Sequence, residues 1–470
     1  MKKVLSTVAA LGLVAGLAST AAAVEFKMSG KYLVEGAYLS DARGNGVTVD
    51  DAANVDTPAD AYFLHTFEIK PTMKVNDKVS MTSVIRLADD TFWGGQANGD
   101  TEGLSGTNDV YVHQLYMDYA SPIGNMKIGR TPAGTYGTSF MDSDKRADRV
   151  MLAPSFLADG PWSTLFFVEK GTDQRGTSTT ATTYTVDPVT HAVTATTATT
   201  TNAATYQSDK DATTYVARVY YKTDTADAGL HYGYTNNKTE SSKPWDSTGA
   251  STTNDEKHQL TAYGKFKMDN YFANAELTHF MGSIDDYAGV AANDGDYDSW
   301  AGMLQVGGKF DALTVSGMYF YAQGQDVNSN DVENALGYSG TGDMFEPLYI
   351  LTGRHTGMLN NDLFSGRTTT MSNAGAHAFI VAADYAVSNQ LSLHGAIGYA
   401  KADETNSIGA NVDDEYGWEY NVGAAYKLLD NLTYEAHFGY LDTGDFFQNG
   451  DPNANTENVY ILTHSLTMTF

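Results

Sequence analysis

Between residues 142 and 149, six charged side chains of both signs crowd into one short stretch: Asp142, Asp144, Lys145, Arg146, Asp148 and Arg149. Acids and bases held on facing surfaces create a field that orients water and dipolar solutes. The same charges can also pair locally and stiffen the segment that carries them. Other acidic groups offer less chemistry. Asp294-Gly295-Asp296-Tyr297-Asp298 resembles half of a calcium loop but lacks the later glycine and glutamate spacing. It reads as a solvated acidic loop, as do Asp285-Asp286 and Asp89-Asp90. There is no Gly-x-Ser-x-Gly, and with no cysteine there is neither a disulfide nor a thiolate metal site. No nucleophile, base and orienting group can be assembled, so no enzyme activity, cofactor or metal is expected. A net charge of −28 argues against nucleic acid as a partner.

The elements that must position the charged stretch follow from a period of two. Phe26, Met28, Tyr32, Val34 and Tyr38 alternate with Lys27, Ser29, Lys31 and Glu35 along Val24–Leu39. The same alternation recurs at 79–87, 214–222 and 415–427, giving one apolar face and one polar face per strand. Short turns at Asn76-Asp77, Ser121–Gly124, Thr223–Asp227, Asp269-Asn270, Asp311-Ala312, Val387–Gln390 and Leu428–Asn431 alternate with long polar loops. Those loops lie near 40–60, 89–108, 132–146, 171–211, 236–256, 282–297, 324–373, 401–413 and 442–457. With Ala147–Ser155 descending and Trp162–Lys170 rising, the count reaches about eighteen strands, or sixteen if that pair or the first strand is misread. The expected fold is all-β, a transmembrane antiparallel β-barrel of about sixteen to eighteen strands with short periplasmic turns and long outer loops.

The two ends agree. Met1-Lys2-Lys3, the apolar run Val4–Leu17 and the small residues 18–23 make residues 1–23 a secretory signal. The run is shorter than the ~20 residues of a spanning helix. Residues 24–470 are then the barrel. At the other end Tyr460, Leu462, Leu466, Met468 and the terminal Phe470 hold alternate positions, a pattern that resembles the assembly signal of bacterial outer-membrane barrels. Two segments stand apart. Residues 176–205 are almost all Thr and Ala around Asp187-Pro188, a low-complexity stretch that carries no chemistry. Residues 324–373 contain Met344–Leu351, too apolar for a solvated loop. That string either folds into the lumen and shapes a pore or packs over a rim or a neighbouring subunit.

Residues 115–156 resemble the general diffusion porins of Gram-negative bacteria. Leu115-Tyr116-Met117-Asp118-Tyr119-Ala120-Ser121-Pro122-Ile123-Gly124-Asn125-Met126-Lys127-Ile128-Gly129-Arg130 is similar to that family's strand, tight turn and rising strand ending in Gly-Arg. Asp148–Phe156 is similar to the descending strand beyond it. The resemblance implies that Thr131–Arg149 is a third loop folded inward to narrow the pore, and that the protein is a homotrimer. Lys31, Arg86, Arg130 and Arg218 are then expected on the lumen wall facing the loop's acids. By alternation His65, His113 and His464 fall on the lipid-facing stripe near the two termini, where the family places its subunit interface.

The expected function is a porin in the outer membrane: a passive, weakly cation-selective channel for small hydrophilic solutes and ions, surrounded by outer-membrane lipid and lipopolysaccharide. Eighteen strands also suit a substrate-selective channel for sugars or organic acids. A transporter of hydrophobic compounds would need an apolar lumen and an N-terminal plug, for which a strand starting at Val24 leaves no room. A closed structural barrel would carry no current.

Overall fold

The computed structural model describes residues 24–40, 59–93, 110–132, 136–142, 146–157, 160–173, 179–186, 193–200, 211–238, 254–285, 295–334, 345–353, 374–452 and 456–470. The first half of the chain supplies β1 (Glu25–Leu39), β2 (Asp60–Asn76), β3 (Val79–Phe92), β4 (Tyr111–Ser121), β5 (Gly124–Thr131), β6 (Ala147–Pro154), β7 (Trp162–Asp173), β8 (Thr179–Val186), β9 (Val193–Thr200) and β10 (Asp211–Lys222). The second half supplies β11 (Ala226–Asn237), β12 (Asn254–Met268), β13 (Tyr271–Asp285), β14 (Gly295–Phe310), β15 (Leu313–Ala322), β16 (Ala376–Ala386), β17 (Leu391–Lys401), β18 (Glu415–Leu429), β19 (Leu432–Thr443) and β20 (Val459–Thr469).

All of these except β8 and β9 form one sheet of eighteen strands. Each pairs antiparallel with its chain neighbours, and β7 pairs with β10 across the intervening segment. The sheet closes because β1 pairs with both β2 and β20. Closure leaves no barrel edge with unpaired N–H and C=O groups, which is the condition for crossing a bilayer with strands. The descending and rising pair read between 147 and 170 is present as β6 and β7, and this settles the count at eighteen. Terminal pairing is tight: Gly30 and Phe470 exchange backbone hydrogen bonds of 2.9 and 3.1 Å.

The two faces of the sheet have opposite chemistry. Phe26, Met28, Met81, Val150, Phe166, Leu277, Val306, Phe379, Val381, Val422 and Leu462 are exposed. Glu35, Thr82, Arg149, Glu169, Arg218, Glu276, Thr278 and Glu419 are buried, on the alternate positions of the same strands. A protein in water would show the reverse; lipid outside and a polar interior account for both. Aromatic pairs stand at the strand ends on the outward face, among them Tyr38 with Tyr460 at 5.9 Å and Trp162 with Tyr221 at 4.8 Å. Tyrosine and tryptophan suit that level, where one end of the ring is wet and the other apolar.

The Thr-rich stretch forms a hairpin of its own, with Thr179 opposite Thr200 and Val186 opposite Val193. Thr is β-branched, so low complexity here does not prevent strand pairing.

Candidate functional site

The charged stretch begins in the segment between β5 and β6, of which the structure describes residues 132, 136–142 and 146, and ends on β6 with Asp148 and Arg149. The Thr138 N–H and hydroxyl both donate to Glu276 Oε2, at 2.7 and 2.6 Å. Glu276 stands on β13, five places further round the sheet than β6, on the polar face opposite Tyr271 and Leu277. Phe140 and Met141 are buried in the same apolar cluster as Phe280, Phe320 and Phe345. Tyr136 packs among Tyr220, His231 and Tyr263, at centroid distances of 5.6, 5.2 and 5.0 Å. The Arg218 guanidinium lies 4.9 Å over the Tyr136 ring.

The candidate pore residues separate into groups. Arg86 Nε donates to Glu68 Oε2 at 3.2 Å, and its Nη1 contacts Asp89, which also receives the Tyr111 hydroxyl. Arg146 Nη1 lies 2.7 Å from His113 Nδ1. Arg149 is buried and grips Glu169 through Nε at 2.8 Å and Nη2 at 2.7 Å, while its Nη1 donates to the Pro132 carbonyl at 2.9 Å. Arg218 is buried as well, donating to His231 Nδ1 at 3.0 Å. Lys31 is exposed on the polar face, opposite Glu68 in the β1–β2 register, and makes no ion pair among the described residues. Asp142 accepts the Tyr136 N–H at 3.4 Å. Asp144 and Lys145 lie outside the described residues.

Three expectations are corrected by register. Arg130 is opposite Asp148 across β5 and β6, and opposite Leu115 across β4 and β5. Leu115 and Val150 are exposed on the lipid-facing stripe, so Arg130 and Asp148 belong to the outward face and not to the lumen wall. One residue along, Arg149 and Thr131 face inward, because side chains alternate with a period of two. His113 errs in the other direction. The β3–β4 ladder shifts between Val84 and Ile85, which leaves His113 as an extra residue. This bulge takes His113 off the outward stripe and buries it beside Tyr111 and Arg146. His65 and His464 keep their outward positions, His65 against Tyr32 at 6.2 Å and His464 against Phe63 at 5.5 Å.

A second segment, Phe345–Gly353, lies against the polar face of β15–β19. The Ile350 N–H donates to Glu419 Oε1 and the Leu351 N–H to Oε2, each at 2.7 Å. The Tyr349 hydroxyl lies 2.7 Å from His437 Nδ1. Leu348, Ile350 and Leu351 are fully buried. Small residues make the room: a Cβ on Gly398 would meet Leu348 at 2.6 Å, and one on Gly423 would meet the Tyr349 hydroxyl at 2.9 Å. The apolar string 344–351 signalled burial in the sequence. Glu276 and Glu419 carried no such signal, since each is one more polar residue on an alternating strand.

Lys31, Arg86, Lys127, Arg149 and Arg218 come from β1–β10, and Glu68, Asp89, Asp118 and Glu169 of the same strands pair with three of them. On the inward side of β16–β19 stand Asp384, paired with His394 at 2.8 Å, and Glu435. A cavity of about 610 Å³ opens near the short turn between β2 and β3, lined by Lys27, Lys74, Lys78, Lys127, Arg218, Glu25, Asp77 and Asp118 among others. Three of its cations are paired: Lys27 with Glu25 at 2.9 Å, Lys74 with Asp77 at 2.8 Å and Lys127 with Asp118 at 3.6 Å.

A closed eighteen-strand antiparallel barrel with a polar interior and an apolar girdle defines a class, the transmembrane β-barrel. Among solved structures, Pseudomonas aeruginosa OpdL matches with a TM-score of 0.52 at 11% identity, covering 95% of this chain and 99% of that one. Pseudomonas aeruginosa OpdQ gives 0.49 at 11% identity over 94% and 98%. The anion-selective porin from Comamonas acidovorans gives 0.42 at 11% identity over 95% and 100%. No family model and no curated protein matches the chain. At such identities the likeness to OpdL is one of fold.

Proposed function

We propose that the protein is an outer-membrane porin, a passive and weakly cation-selective channel for small hydrophilic solutes and ions. Residues 1–23 direct export and are removed, and residues 24–470 form the barrel, set in outer-membrane lipid and lipopolysaccharide. The observation that carries this reading is the pair of hydrogen bonds from Thr138 to Glu276. A segment rooted on β5 and β6 that binds the inward side of β13 folds across the lumen and narrows it. Asp142, Asp144, Lys145 and Arg146 then stand on the loop, with Arg86, Lys31 and Arg218 on the wall beside it. Arg149 braces the root. Water and dipolar solutes align in the field between these groups, whereas apolar solutes must break ordered water. Acidic loops and a net charge of −30 after the loss of Lys2 and Lys3 concentrate cations at the mouth, a focusing that fades over ~8–10 Å.

The test is the reversal potential across a salt gradient. Wild type should prefer cations weakly, and Asp142→Asn combined with Asp144→Asn should move the potential towards anions. Strong anion preference in the wild type, or no shift in the double variant, would reject this eyelet. The basic lining of the 610 Å³ cavity favours a second reading, a channel selective for organic anions, and the same measurement separates the two.

Assembly as a trimer through the wall of β20, β1 and β2 accounts for His65 and His464 on the outward stripe. Ionisable side chains at lipid-facing positions are costly and need partners. Replacing both with leucine should lower the temperature at which the trimer dissociates on a semi-native gel. An unchanged dissociation temperature would sink the assignment of that wall.

A further inference from the structure

We propose that Glu419 is a positioning residue for the eyelet: by holding segment Phe345–Gly353 it fixes where the loop rooted on β5 and β6 stands. The inference rests on the reading of that loop as the constriction and adds a second control over it, from the opposite wall.

The argument runs along one chain of contacts. Glu419 is completely buried, and its two oxygens each take one main-chain N–H, from Ile350 and Leu351. Both donors are main-chain groups, which have no rotamer freedom with which to turn away from the carboxyl group. The segment is therefore fixed as backbone against β18, and Leu348 on Gly398 and Tyr349 on His437 fix its sides. Its other end is Phe345. That ring meets Phe140 of the loop edge-on, at 5.2 Å and 84°, and meets Phe320 of β15 edge-on, at 5.3 Å and 87°. Phe140 and Phe320 are 6.0 Å apart, and none of the three rings is more than 2% exposed. Phe140 thus sits in a seat with one side supplied by the wall and one by the segment. It lies two residues from Thr138, which Glu276 holds, and two from Asp142. Glu276 and the Tyr136 packing hold the loop against β10–β13, and Glu419, through Phe345, holds it from the opposite wall. Support from one wall alone leaves a loop free to pivot about it, whereas support from both fixes its reach and its angle. Edge-to-face aromatic pairs have a preferred geometry, so displacing Phe345 moves the seat.

The chain has no cysteine, so two introduced cysteines can be spin-labelled without background. Ser139→Cys on the loop and Ser29→Cys on β1 report the reach of the loop across the lumen by pulsed electron resonance in the full-length folded protein. In that background Glu419→Ala should shift or split the distance distribution, although residue 419 touches neither label nor solute. The same variant should change the mean single-channel current. If Glu419→Ala fails to assemble, Phe345→Ala, which leaves every strand intact, is expected to give the same shift. A distribution identical to the parent in whichever variant folds overturns the proposal. Glu276→Ala in the same background separates this failure from failure of the eyelet reading. If the label moves in both variants and neither changes the current, Glu419 positions the loop but the loop is not the constriction.

Discussion

Replacing Glu276 with alanine is expected to convert a steady single-channel current into a noisy one with a higher mean. The carboxylate takes both the N–H and the hydroxyl of Thr138 at 2.7 and 2.6 Å in a buried site. Its loss leaves two donors without an acceptor, at about 1–3 kcal/mol for each buried group. Even the lower end, about 2 kcal/mol for the two, raises the population of the released loop more than tenfold, since about 1.4 kcal/mol is a factor of ten. The barrel should survive, because no strand pairing depends on this side chain. Glu276→Gln keeps one acceptor oxygen without the charge and should fall between the two. Currents of wild-type size and noise in Glu276→Ala would show that the loop does not depend on this anchor.

The second large effect is on stability. Arg149 and Glu169 are both buried, joined by contacts of 2.8 and 2.7 Å, and Arg149 also holds the Pro132 carbonyl at the root of the loop. Removing one partner of a buried ion pair costs about 3–5 kcal/mol, because the other charge stays in a poor solvent. Arg149→Leu should therefore lower the urea midpoint for unfolding from detergent or lipid. Replacing Glu169 by leucine in the same chain should restore much of the loss, since a well-packed apolar pair often equals a buried ionic one. The reversal potential should barely move in the double variant, because the charges already cancel. A large change in selectivity with unaltered stability would mean that Arg149 faces the solute path. It would then be part of the filter and not of the frame.

The barrel itself was legible in the chain. Alternation such as Phe26, Met28 against Lys27, Ser29 is a local property, visible wherever a strand has lipid on one side and water on the other. The alternation of short turns with long loops implies the strand order, and parity requires the β6–β7 pair. The same parity argument failed where one residue decides a face. Arg130 and Asp148 were placed in the lumen and stand outside, because an error of one position inverts every side chain. His113 was placed outside and lies inside, because a bulge between Val84 and Ile85 in the facing register inserts one residue that no local pattern announces.

The segment proposed as the constriction is legible in its charges but not in its anchors. Asp142, Arg146 and Arg149 marked the segment between β5 and β6 as unusual, and the apolar string Met344–Leu351 marked a second segment as one that needs burial. What each segment rests on could not be read. Thr138 and Glu276 are 138 positions apart and Ile350 and Glu419 are 69 apart, and each glutamate occupies a position on its strand that any polar residue could fill. Period and polarity are written into consecutive residues, and they specify the wall and its two faces. Only the closed barrel decided which side chains meet across the lumen, because it brings residues from far apart in the chain into contact.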